Sequence, residues 1–179
     1  MSDRAFLAGS SAIVIVMVIL GFFVLYPDAG VKAYEVELSD FIFILKNGEF
    51  PITVKAGDIV VFKVRNVGGF NHEFMIVTSD MKEALLNKAY KVLNELREMG
   101  LSGDALLEEY EHEMGGHGGE MDEGMLLMLR LKPGEESQGE VTFHEPGTYY
   151  ILCIEADGTA DAGKSHAHQG MIAEIVVKG

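Results

Sequence analysis

The sequence predicts an all-β domain, a sandwich of two sheets that carries one helical insertion and follows a membrane-spanning helix. Three observations predict it. Short segments of alternating or apolar character recur between turn residues, one stretch from 80 to 99 changes to a helical period, and residues 5–26 carry no charge. With 179 residues, 48% hydrophobic and 23% charged, the chain is long enough for one packed domain and an anchor but short for two domains of ordinary size.

The apolar run at 5–26 has 22 positions. At about 1.5 Å rise per residue it spans a hydrocarbon layer of about 30 Å, and it exceeds the roughly 7–15 apolar residues of a cleaved secretory signal. Arg4 precedes it and Asp28 follows, which places the N-terminus in the cytoplasm and the rest of the chain on the extracytoplasmic side of the cell membrane. The organisation expected is an anchor at 1–26, a linker at 27–33 and a domain at 34–179, with an insertion at 79–124.

Within the domain, 34–45, 50–54 and 58–65 read as strands. The third shows Val60, Phe62 and Val64 on one face and Lys63 and Arg65 on the other. Asn47-Gly48 and Ala56-Gly57-Asp58 supply turns. A fourth strand, 73–77, begins beside His72. From 80 to 99 a stripe of Leu85, Ala89, Val92, Leu93 and Leu96 has the helical period, with Asp80 and Glu83 spaced like a capping box and Gly100 as the stop. A shorter helix follows at 104–113, and 112–125 is Gly-rich and polar. Strands resume at 125–131, 138–143, 148–154 and 171–177, separated by turns at Lys132-Pro133-Gly134-Glu135 and His144-Glu145-Pro146-Gly147.

Charge removes one class of function. Fourteen Lys and Arg against 28 Asp and Glu leave a net charge of -14, which repels a phosphate backbone and excludes nucleic acid as a natural partner. The same acidity suits a partner with a basic docking surface. The single cysteine, Cys153, can form no intramolecular disulfide.

Two distant segments hold the soft and imidazole donors, Asn71-His72 and Cys153 followed by Ser165-His166-Ala167-His168-Gln169-Gly170-Met171. One thiolate, two imidazoles and a weak thioether are the donor set of a single mononuclear copper. At this point the sequence resembles the cupredoxins, the type 1 blue copper proteins. The matching pieces are VKAGDIVVFKVRNVG followed by NHEF, then LKPGEESQGEVTFHEPGTYYILC, then HAHQGM before a closing strand. The resemblance implies a Greek-key sandwich, single-electron transfer outside the cytoplasm, and copper held by His72, Cys153, one of His166 and His168, and Met171. A spacing of five to Met171, from His166, is similar to the plastocyanin loop, while a spacing of three, from His168, is similar to amicyanin and to oxidase subunit II. His166 is preferred and His168 stays open. The loop histidine would give the exposed edge where electrons enter or leave.

The alternatives are a copper carrier and a structural subunit of a haem-copper oxidase. Cys153-Ile154-Glu155 resembles part of the subunit II motif, but the position of that motif's second cysteine is Asp157, which excludes a binuclear copper centre. His112, Met114, His117, Met121 and Met125 could serve a carrier as copper-loading donors, or form a mobile acidic loop. An enzyme is disfavoured, because the remaining histidines cannot build a trinuclear cluster and no Ser-His-Asp, Walker or zinc-protease spacing is present.

Overall fold

The computed structural model describes residues 30–114, 123–156 and 164–179. The expected spanning helix at 5–26 lies outside the described residues, and among these no helix is long and apolar enough to cross a membrane. The described chain forms β1 (Val31–Ser39), β2 (Ile42–Leu45), β3 (Ile52–Lys55), β4 (Ile59–Asn66) and β5 (His72–Val77), then helices α1 (Ser79–Glu98) and α2 (Gly103–Met114). It continues with β6 (Met125–Leu131), β7 (Glu136–Thr142), β8 (Gly147–Leu152), a 3-10 turn at Ala167–Gln169 and β9 (Ile172–Lys178).

The strands make two sheets, ordered β2-β1-β4-β7 and β3-β9-β8-β5-β6. Both are mixed: β1 runs parallel to β4 and β3 parallel to β9, while the other neighbours are antiparallel. Alternation sends one face of each strand inward. In β4, Val60, Phe62 and Val64 are no more than 2% exposed while Lys63 and Arg65 face solvent, and the second sheet answers with Phe74, Ile76, Ile151 and Ile175. This is the first core.

β5 shows no alternation, since all six of its residues are buried. Its second face lies under the helical insertion. Leu85, Ala89, Val92, Leu93 and Leu96 of α1 and Leu106, Tyr110 and Met114 of α2 cover Met75, Val77, Leu152 and Ile154, forming a second core. Each Leu buried this way contributes about 1.5–3 kcal/mol of transfer free energy, so the sequence stripe is spent against a sheet face that would otherwise meet water. The insertion is a third layer.

Three local expectations differ. The strand expected over 34–45 is a hairpin, with Ser39 opposite Ile42 and Phe41 at the tip with φ 63°. No Gly, Pro or Asn-Gly marks that turn, so sequence spacing hides it. β1 starts at Val31, inside the stretch read as linker, because its first residues pair with the start of β4. The cap of α1 is Thr78, whose hydroxyl accepts from the Met81 N–H at 3.4 Å; Asp80 sits within the first turn, where its charge suits the helix dipole.

Candidate metal centre

His72 opens β5 on the face that points between the sheets, alongside Phe74 and Ile76. The chain is fixed before it by Asn66, which is fully buried. Its amide donates to the carbonyls of Phe70 (2.7 Å) and Leu131 (3.0 Å), and its oxygen accepts from Gly68 N–H (2.9 Å). Gly68 is where that loop passes closest to the histidine. A Cβ there would lie 3.0 Å from His72 Nε2 and 2.6 Å from Asp40 Oδ1.

Cys153 follows β8, and the loop that returns to β9 closes around its backbone. Ala167 N–H donates to Cys153 C=O (2.7 Å), His166 N–H to Glu155 C=O (2.8 Å), Met171 N–H to His166 C=O (3.0 Å) and Cys153 N–H to Met171 C=O (3.3 Å). Gly170, with φ 110°, makes the final reversal before Met171. The five-residue step from His166 to Met171 is thus occupied by one tight 3-10 turn.

These elements bring His72 Nδ1, His166 Nδ1 and Cys153 Sγ together. The nitrogens are 3.1 Å apart, and the sulfur is 3.4 Å from His166 Nδ1 and 3.8 Å from His72 Nδ1. All three residues, and Met171, are 0% exposed. Bonds of about 2.0 Å to nitrogen and about 2.3 Å to sulfur at trigonal angles would separate the donors by about 3.5–3.7 Å, so the three atoms already fit around one first-row ion. Two imidazoles and one thiolate are a donor set for copper. His168 is not in this group. Its Nδ1 lies 3.0 Å from Ser165 Oγ and its ring 5.9 Å from that of Tyr90 on α1.

The electrostatics of the metal-free pocket favour neutral groups. Burial pushes the Cys153 thiol well above its ordinary value, and the nearby Glu73 charge adds to this, while backbone N–H groups of Glu73 and Glu155 oppose it. Burial likewise lowers His72, against the Asp40 charge. The Glu73 N–H points at Cys153 Sγ over 3.2 Å. The support that a thiolate needs therefore comes from the backbone, whatever side chain stands at 73.

The Glu73 carboxylate turns the other way, toward the helices. Its Oε1 accepts from Arg130 Nε at 2.8 Å while the whole carboxylate is buried, and Glu111 and Glu155 share the neighbourhood of that arginine. Burial, reinforced by Glu73, raises Glu155 to about 8. Nothing in the sequence pattern signals this cluster.

The expected exposed imidazole edge is corrected. His166 is sealed, with the ring of Phe41 set edge-on to it at 5.1 Å and 84°, and Phe70 at 6.0 Å from it and 5.9 Å from Phe41. Sequence reasoning missed both phenylalanines, because one lies on an unmarked turn and the other in a Gly-rich loop. Of the His/Met segment, Met114 and Met125 are buried in the second core and His112 is exposed beside Glu109 and Glu113; 115–122 lie outside the described residues. The broad concavity on the outer face of the first sheet is lined by opposed charges such as Lys46, Glu37, Arg65 and Glu136, with no converging donor set.

No protein-family profile matches the chain, and no curated protein sequence does. Solved structures do. A dithionite-reduced auracyanin from Roseiflexus castenholzii has a TM-score of 0.53 at 18% identity, covering 84% of this chain and 99% of its own. Auracyanin A from Chloroflexus aurantiacus, described as a "blue" copper protein, scores 0.53 at 18% identity over 83% of this chain and 100% of its own. An azurin from Methylomonas sp. strain J scores 0.52 at 11% identity, covering 83% of this chain and 98% of its own. The described domain thus has the cupredoxin fold of these proteins, a β-sandwich with mixed sheets and two helices.

Proposed function

We propose that this chain is a single-copper electron carrier whose domain is held by its N-terminal segment to the outer side of the cell membrane. One observation carries the reading: two Nδ1 atoms and one Sγ from three separate segments meet within 3.8 Å in a pocket with no exposed surface. A copper ion bound there supplies one-electron cycling between its two common oxidation states.

The chain's own residues do the rest. Cys153 gives the thiolate and loses its proton on binding; His72, fixed by the Asn66-braced loop, and His166, fixed by the 3-10 turn, each present Nδ1. Met171, buried just ahead of β9, would add a weak thioether donor to the group. Because the donors are held by backbone bonds, their positions change little with the charge on the centre, which suits rapid electron exchange. The net charge of -14 would steer the domain to a respiratory partner with a basic surface. The carrier alternative loses two of its donors, since Met114 and Met125 are core residues.

The test is Cu(II) titration of the purified full chain in detergent. One ion per chain, an intense thiolate charge-transfer absorption and a reversible one-electron wave are expected, and Cys153→Ser should remove the colour while leaving the β-rich circular dichroism. A pale protein that binds several Cu(I) ions would overturn the reading in favour of the carrier.

A further inference from the structure

Phe41 stands in a conformation that a phenylalanine rarely adopts. At φ 63° it is the sole non-glycine with positive φ among the described residues, in the left-handed region where the Cβ of an L-residue crowds the backbone. Glycine would occupy that tip without strain, yet a large ring stands there, held by several bonds between hairpin and loop. Asp40 Oδ1 accepts from Gly69 N–H (2.9 Å), and Leu38 C=O accepts from Val67 N–H (2.9 Å) and Gly68 N–H (3.1 Å). Strain of this kind persists only where the surroundings enforce it.

The ring so enforced rests edge-on against His166, and Phe70 fills the angle between them. Both phenylalanines are half-buried, whereas His72, Cys153, His166 and Met171 are wholly buried. The two rings thus stand between solvent and the converging donors on the side of His166.

We propose that Phe41, backed by Phe70, is the specificity-determining residue of this centre: its ring closes the donor pocket to water and small anions, so that electrons pass but ligands do not. The inference rests on the reading of the site as a metal centre, but the closure itself is a property of the metal-free chain and can be measured there. A carrier with an open coordination position would bind anions or react with small oxidants; a closed one does neither. Electrons exchanged with a partner on this side cross the rings, since the imidazole of His166 has no solvent edge.

The experiment follows alkylation of the Cys153 thiol by iodoacetamide in the metal-free full chain, comparing wild type with Phe41→Gly, Phe70→Ala and the truncation Tyr34→Ala. Tyr34 stacks on Phe62, toward the other end of β1, and controls for general loosening, with global stability of each variant read from urea unfolding. Phe41→Gly should react at least tenfold faster than wild type and than Tyr34→Ala at matched stability, with Phe70→Ala between. In a second arm the copper-loaded chains are titrated with azide; the absorption and electron paramagnetic resonance spectra should shift for Phe41→Gly and not for wild type. Equal alkylation rates in wild type and Phe41→Gly, or an azide response in wild type, would overturn the proposal. Failure of wild type to take up copper would overturn the functional reading alone, leaving the alkylation comparison to decide whether Phe41 closes the pocket.

Discussion

Replacing Tyr110 by phenylalanine removes one oxygen and tests whether the helical layer positions the proposed metal centre. The Tyr110 hydroxyl, on α2, donates to the Ile154 carbonyl at 2.6 Å, and the residue is 2% exposed. Burial pushes its phenol well up, so it stays a donor throughout the accessible pH range. The carbonyls on either side of Ile154 are held by the ligand loop: Cys153 C=O by Ala167 N–H and Glu155 C=O by His166 N–H. In Tyr110→Phe the ring still packs, but a buried carbonyl loses its donor, at a cost of about 1–3 kcal/mol. Taking about 1.5 kcal/mol and the roughly 2–4 °C per kcal/mol of a domain this size, Tm should fall by roughly 3–6 °C. Thermal melts of metal-free and copper-loaded protein, followed by circular dichroism, would measure it. The copper-loaded variant should still bind one ion, with its charge-transfer maximum and reduction potential displaced. An unchanged Tm together with an unchanged absorption maximum would refute the coupling of helix to ligand strand.

Further outcomes follow from the same geometry. His166→Ala should abolish the charge-transfer band, whereas His168→Ala, which removes a ring lying against Ser165 and Tyr90, should keep it and shift Tm only slightly; loss of colour in both would return His168 to the ligand set. Because burial, aided by the Glu73 charge, holds the Cys153 thiol protonated, each copper bound must displace that proton, so Cu(II) affinity should rise about tenfold per pH unit near neutrality. His72, lowered chiefly by burial, stays neutral below the usual imidazole range, so the slope should steepen only at more acid pH; competition titrations in weak buffer would read both proton release and slope. Burial alone would raise the Asp58 carboxyl, but N–H groups of Lys55 and Gly30, with Lys32, together hold it low. Its contribution to stability is thus present above the unfolded value of about 3.9 and lost as pH falls through the lower folded value. Asp58→Ala, which leaves two backbone N–H groups unpaired, should cost about 1–3 kcal/mol near neutrality and flatten the acid limb of a urea-unfolding series.

How far the fold could be read from the chain depends on whether an element has one wet face. β4 and the α1 stripe do, and their periods place Val60, Phe62 and Val64 and the five buried residues of α1 correctly, while buried Asn66 at the end of β4 falls beyond the strand as read. β5 has none, because sheet and helices cover both sides, so its run HEFMIV has no alternation to find. The hairpin at Phe41 was invisible for a different reason: the chain takes a left-handed step without the glycine or asparagine that signals one. The convergence of His72, Cys153 and His166 was legible because each stands at or beside a strand end, in an order that resembles a known pattern. The cover over His166 was not, since it depends on two rings, at 41 and 70, that meet only through the packing of hairpin on loop. The carboxylates around Arg130 were hidden likewise, since Glu73 lies 57 positions away, Glu111 comes from the insertion and Glu155 from the segment after β8.

The segment through Leu152, Cys153 and Ile154 is a party wall. Its sulfur looks into the sandwich while its two neighbours are papered with the hydrocarbon of the helical layer. Excising α1 and α2 would strip that wall bare on one side and leave the thiol mounted on an unsupported panel, so the excursion cannot be shed as decoration. Whatever disturbs either helix is therefore transmitted to the strand that bears Cys153.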